Sequence, residues 1–235
     1  MIKKGIFLAL IFIATSCAEL QQVVNTLPNG QIGLSTQQIA AGLRQALDLG
    51  IDRQVTKLTQ RDGFYRNEAV KIPLPSELQK VDETLRSIGL GGLADEGIKI
   101  LNRAAEEAVK EATPIFVGAV KEITFTDAKN ILLGPNNAET KYLEQKTDKA
   151  LYAKFSPVIK RSFNEVGADK VWANIISRYN AIPFVAKVNP DLTDYVTQEA
   201  LKGVFTMIAI EERQIRTNVN ARTTSLLRQV FALQD

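Results

Sequence analysis

"TDYVTQEALKGVFTMIAIEERQIRT", residues 193–217, is the stretch whose reading decides the fold. Within it Leu201, Val204, Phe205, Ile208 and Ile215 recur at helical steps and form one apolar stripe. Short period-two stretches are rare elsewhere in the chain, so the stripe predicts an all-α domain with little β structure. Glu212 falls inside the stripe, four residues after Ile208 and three before Ile215, whereas Glu211 lies nearer its edge. A carboxylate on a buried face must be neutralised, hydrogen-bonded or paired, or it costs several kcal/mol. Arg216 is the nearest partner, one turn on. Arg222, beyond the following turn, is a second, and Asn102, flanked by Ile98 and Val109 on another helix, offers an amide from across the core. With Arg103 and Glu106 beside Asn102, these residues make one candidate polar site. Two readings stay open for it: a buried ion pair that fixes how the last helices dock, or a polar ligand-binding pocket.

Outward from this helix the chain reads as further helices. A shorter one covers about residues 222–233. Asp169 to Asn180 is helical, with Val171 and Ile175, and Pro183 and Asn189-Pro190 mark loops. From Asn137 a helical step runs through Leu143, Thr147, Leu151, Phe155, Ile159 and Phe163, with a break or kink expected at Pro157. Thr126 is read as the cap of a short helix over 127–133, closed by Gly134 and Pro135. Thr113-Pro114 fits a cap and first-turn proline. Residues 95–112 carry a stripe of Ile98, Leu101, Ala105, Ala108 and Ala112. Pro73 and Pro75 force an extended connector before a helix that Ser76 and Gln79 would cap and that ends near Ile88. Ser35 and Gln38 have the same capping spacing for the first helix, which should end before Asp62-Gly63. The expectation is one domain of about seven to nine helices over residues 35–235, without internal repeats.

Ahead of it, Lys3 and Lys4 precede an apolar run from Ile6 to Ala14, then Thr15, Ser16 and Cys17, the layout of a secretory signal. Nine apolar residues are too few to span a bilayer, which needs about 20. Residues 18–34 are polar, contain Pro28-Asn29-Gly30 and show no period; as a flexible coil their reach is about 20 to 25 Å. The boundaries expected are therefore a signal peptide at 1–16, a tether at 17–34 and the helical body at 35–235.

Composition removes several function classes. Without Lys3 and Lys4 the 29 Lys+Arg become 27 against 26 Asp+Glu, a net charge of +1, and the basic residues are scattered among acidic ones. That gives no support to a nucleic-acid partner, which requires clustered positive charge. The chain has no His and a single Cys. Ser-His-Asp and Cys-His catalysis and thiolate zinc sites therefore lack their residues, and no metal or cofactor is expected. "GLGGLA", residues 89–94, formally fits a dinucleotide-binding pattern, but a helical stretch (Leu78, Val81, Leu85, Ile88) precedes it instead of a strand. It reads as a helix C-cap and turn.

Ala14-Thr15-Ser16-Cys17 resembles the lipobox of bacterial lipoproteins, in which the cysteine is lipidated and a peptidase cuts before it. The strings "IPLP" (72–75), "NRAAEEA" (102–108), "DAKNILLG" (127–134), "ETKYL" (139–143), "YVTQEALKGVF" (195–205), "EERQIR" (211–216) and "RTTSLLRQVF" (222–231), in this order, resemble the bacterial exported family catalogued as domain of unknown function 4197. The chain departs from that pattern at Val219, where a proline is expected. The resemblance implies an exported or lipid-anchored, mainly helical domain and brings no catalytic residues. Two functions remain open: a non-catalytic envelope protein, outer-membrane or periplasm-facing, that binds a partner protein or an apolar ligand such as a lipid, or a hydrolase of the cell envelope using paired carboxylates drawn from Glu106, Glu107, Glu211 and Glu212. Adjacent glutamates on helices also suit a solvated face. Tyr152, Phe155, Phe163 and Trp172 suit either a lipid pocket or ordinary core.

Overall fold

The computed structural model describes residues 34–235 except 88, 90, 166–169, 171, 174–175, 178–179, 182–183, 185–186 and 188–190. The segments expected to be a signal peptide and a tether, with Cys17, lie outside the described residues up to residue 33, as do Ile88, Val171, Ile175, Pro183 and Asn189-Pro190. Eight α-helices and no strand form a single helical domain among the described residues. They are α1 (Thr36–Thr59), α2 (Gln79–Ser87), α3 (Gly91–Val109), α4 (Ala112–Lys121), α5 (Phe125–Leu132), α6 (Ala138–Glu165), α7 (Thr193–Thr217) and α8 (Ser225–Phe231).

The long helix α7 is the centre of the packing. Leu201, Val204, Phe205, Ile208 and Ile215 are all buried, and its most extensive pairing is with α6. α1 and α3 complete the layer around this pair. Close approach to α7 depends on Gly203, where an added Cβ would stand 2.6 Å from Phe64 Cε1. Phe155, Phe163 and Trp172 are core residues, and Phe116 meets Phe205 edge to face at 5.9 Å between ring centres.

Helix starts follow local chemistry, with three corrections. Ser35 and Gln38 form the full capping box of α1. Ser76 does not cap the second helix: Pro75 opens a 3₁₀ turn over Ser76–Leu78, its carbonyl accepting the Leu78 amide at 2.8 Å, and α2 continues from that turn. α4 starts one residue before Thr113, which places Pro114 still in the first turn, where its missing N–H is harmless. Thr124, not Thr126, caps α5, and Asp127 completes a reciprocal capping box with it. Gly89 takes φ +78°, a left-handed helix ending that glycine adopts at no steric cost, and α3 then begins at Gly91.

Pro157 lies inside α6 without ending it. Pro157 and Ala153, whose carbonyl loses its helical partner, both lie on the exposed side of the helix. Water can satisfy that carbonyl while Leu151, Phe155, Val158 and Ile159 stay buried. Val219 begins a 3₁₀ turn over Val219–Ala221, which joins α7 to α8 without the proline expected there.

Candidate functional site

The six polar residues singled out in the sequence are spread over separate networks. Each network satisfies backbone groups where regular structure stops, which is the task left to side chains when a loop or a helix end is buried.

On α3, Asn102 is fully buried and faces the extended segment at Ile72. Its Oδ1 accepts the Ile72 amide at 2.8 Å, and its Nδ2 donates to the Ile72 carbonyl at 2.8 Å. Arg103, the next residue, and Glu106, one turn on, close the bend after α1. Arg103 donates to Asp62 Oδ1 at 2.5 Å and to Glu106 Oε2 at 2.6 Å, and Glu106 accepts the amides of Asp62, Phe64 and Tyr65 at 3.3, 3.1 and 3.4 Å. Asp62 sits at φ +70°, a strained value for a residue with a Cβ, and the two side chains of α3 hold it there.

On α7, Glu212 is buried as its place in the stripe requires, and Arg216 donates Nε to it at 2.9 Å. The partners not foreseen are at the start of α6. Glu212 accepts the amides of Glu139 and Thr140, each at 2.9 Å, and the Thr140 hydroxyl at 2.7 Å, so it caps α6 from another helix. Arg216 also donates to the carbonyls of Ile131 and Leu132, at 3.0 and 3.4 Å, at the end of α5. Its Nη2 stands 3.7 Å from Glu139 Oε1. Burial pushes the Glu139 carboxyl up to about 8, the Glu212 charge adds to the rise, and Arg216 opposes it.

Arg222 does not reach Glu212. It is fully buried and donates to the carbonyls of Ile215 and Arg216 at 2.9 and 3.0 Å, and its two terminal nitrogens reach the Asp235 carboxylate at 2.6 and 2.7 Å. It thus closes the end of α7, and its guanidinium holds the Asp235 carboxyl below the usual range.

The other two glutamates lie in different networks again. Glu107 pairs with Lys110 on the surface, and Glu211 takes Arg53 and Gln54 of α1, each at 2.8 Å. Among the described residues no three His, Cys, Asp or Glu side chains are grouped to hold a metal ion. A cleft of about 610 Å³ runs along α3, between the end of α1 and the last turns of α6. Its floor is Ile100 and Ala104, and its α3 rim carries the ion pairs Lys99–Glu96 and Lys110–Glu107.

The buried sets on α3 and α7 coincide with the strings that carried the resemblance. The model of the family described as "Protein of unknown function (DUF4197)" matches residues 33–232. The chain belongs to that family. No curated protein and no solved structure matches it. Glu106, Glu139, Glu212, Arg216 and Arg222 of this DUF4197 domain are thus buried parts of its helical body. Glu139 carried no sequence signal of burial, because a glutamate in the first turn of a helix ordinarily complements the helix dipole from solvent.

Proposed function

We propose that this DUF4197 protein is a lipid-anchored protein of the bacterial cell envelope whose helical body is a non-catalytic binding module for a partner protein. Residues 1–16 act as the export signal, a lipid on Cys17 holds the chain to the membrane, and residues 17–34 tether the body close to its surface. Among the described residues no helix is long and apolar enough to cross a membrane, and the anchor supplies that attachment. The observation that carries the binding reading is the cleft along α3. A partner with both signs of charge suits a rim of interspersed Lys and Glu better than an acyl chain does. The hydrolase alternative needs two carboxylates free to face a substrate, whereas Glu106 and Glu212 are engaged by backbone amides and an arginine, Glu211 by Arg53 and Gln54, and Glu107, which shares the cleft with Glu106, by Lys110.

Two measurements test this. Cys17→Ser should move the protein from the detergent phase to the aqueous phase, because acyl chains at about 0.8 kcal/mol per buried CH₂ dominate membrane affinity. A Ser variant that still partitions with membranes overturns the anchor. Isolation of the native protein with its bound molecules, read by mass spectrometry, should return a stoichiometric protein partner that Lys99→Glu with Lys110→Glu releases. A stoichiometric lipid with no protein overturns the partner reading.

A further inference from the structure

Two carboxylates and one guanidinium meet where α5, α6 and α7 converge, and the side chains of Glu139, Glu212 and Arg216 are each 2 % exposed or less. With all three ionised the site holds one uncompensated negative charge in a low-dielectric interior, which is strongly unfavourable. Four donors converge on Glu212. Glu139 Oε1, in contrast, is buried with no hydrogen-bond partner. The charges acting on Glu139 are those of Glu212 and Arg216, both on α7. α5 presents the carbonyls of Ile131 and Leu132 here, which accept from Arg216, the second shared with the Gln234 side chain, and α8 presents the Phe231 ring, 5.8 Å from the guanidinium.

We propose that the Glu139–Glu212–Arg216 cluster is a proton-binding site: the folded chain holds one proton on Glu139, and its release to solvent loosens the seating of the α6 N-terminus on α7. The coupling is built into one residue. Glu139 donates its backbone amide to Glu212 while its side chain faces the same carboxylate and arginine, so a second negative charge repels Glu212 across the contact that caps α6. The upward displacement of the Glu139 carboxyl agrees with a proton retained near neutral pH and given up under mildly alkaline conditions. The switch needs no ligand and acts on the corner that α5, α6 and α7 share.

Amide hydrogen exchange of the purified chain, corrected for the intrinsic pH dependence of exchange, tests the site, with Glu139→Gln as the neutral isostere. Protection of the Glu139 and Thr140 amides should fall more than tenfold between pH 6.5 and pH 9, while amides in the middle of α1 hold theirs. The corresponding amides of the Gln variant should show a flat profile. Equal falls in both proteins, or no fall in the native chain, overturn the proposal. Should the Gln variant fail to fold, the Glu139 carboxyl carbon is titrated by NMR in the native chain. A midpoint above pH 6.5 upholds the site and a lower one overturns it.

Discussion

Asn102 completes both backbone groups of Ile72, accepting its amide and donating to its carbonyl at 2.8 Å each, so one side-chain amide stands where a neighbouring strand would otherwise be needed. Pro73 follows immediately and has no N–H, so the segment could form only a broken ladder with any strand. Removing that amide leaves two buried groups unmade, each worth about 1 to 3 kcal/mol. Asn102→Ala should therefore lower the unfolding free energy in urea by about 2 to 4 kcal/mol. Asn102→Asp should cost less at a pH where the acid is neutral, because the protonated carboxyl offers both a carbonyl acceptor and an O–H donor, whereas the ionised form keeps only acceptors. An Ala variant within 0.5 kcal/mol of the native chain would contradict the burial of this contact.

Glu212 should be the most costly single carboxylate to remove. Glu212→Ala strips the α6 amides of their acceptor and leaves the Arg216 guanidinium buried without its closest counter-charge, a loss of about 3 to 5 kcal/mol for broken buried pairs. Chemical denaturation at pH 6 is the suitable measurement. A small effect would mean that Glu139, 3.7 Å away, takes over as the counter-charge or that water reaches the guanidinium.

What the sequence made legible follows from how far apart the interacting residues lie. The apolar stripe of α7 and the capping box at Ser35 depend on neighbours within four positions, and both stand as read. The pairing of Glu212 with Arg216 is an i,i+4 contact and was equally readable. Other contacts of the site join residues 30 to 85 positions apart, such as Asn102 with Ile72 and Arg216 with Ile131, and no periodicity encodes which chain segment arrives at a buried side chain. Arg222 looked like a second partner for Glu212 because it follows α7 closely in sequence. The 3₁₀ turn at Val219–Ala221 instead returns it to the carbonyls at the end of that helix. The cap of α5 lies at Thr124, two residues before the Thr126 expected, because only Thr124 has Asp127 three residues on to complete the reciprocal box.

The acid–base balance of the folded chain should show Glu139 directly. Its carboxyl lies at about 8 against an ordinary value of 4.5, so the folded state keeps a proton that the unfolded state gives up. The stability contribution of the protonated group is fully present below about pH 4.5 and is lost as pH rises through about 8. Glu139→Gln removes the titration. The variant should match the native chain near pH 4 and exceed it by about 2 to 4 kcal/mol at pH 8.5, a difference of the order a shift of several pH units implies. Thermal unfolding of both proteins across that window is the check. A constant offset between the two curves would remove Glu139 as their source.

Glycine substitutions separate packing from helix propensity. In an exposed helix interior Gly→Ala gains up to about 1 kcal/mol, and Gly118 on α4 is such a position: it is exposed, and an added Cβ meets nothing within 4 Å. Gly118→Ala should raise the melting temperature by a few degrees. Gly203 on α7 is buried, and its added Cβ would lie 2.6 Å from Phe64 Cε1 and 3.4 Å from Val70 Cβ. Phe64 cannot swing away freely, because its ring is fully buried and its amide is held by Glu106. Gly203→Ala should therefore lose about 1 to 3 kcal/mol to overpacking despite the better helix former. Because the strain reaches the bend at 62–65 through Phe64, the exchange protection of the Phe64 amide should fall in the Gly203 variant and stay unchanged in the Gly118 variant. Equal stabilisation by both substitutions would place the contact between α7 and Phe64 farther apart than a missing Cβ requires.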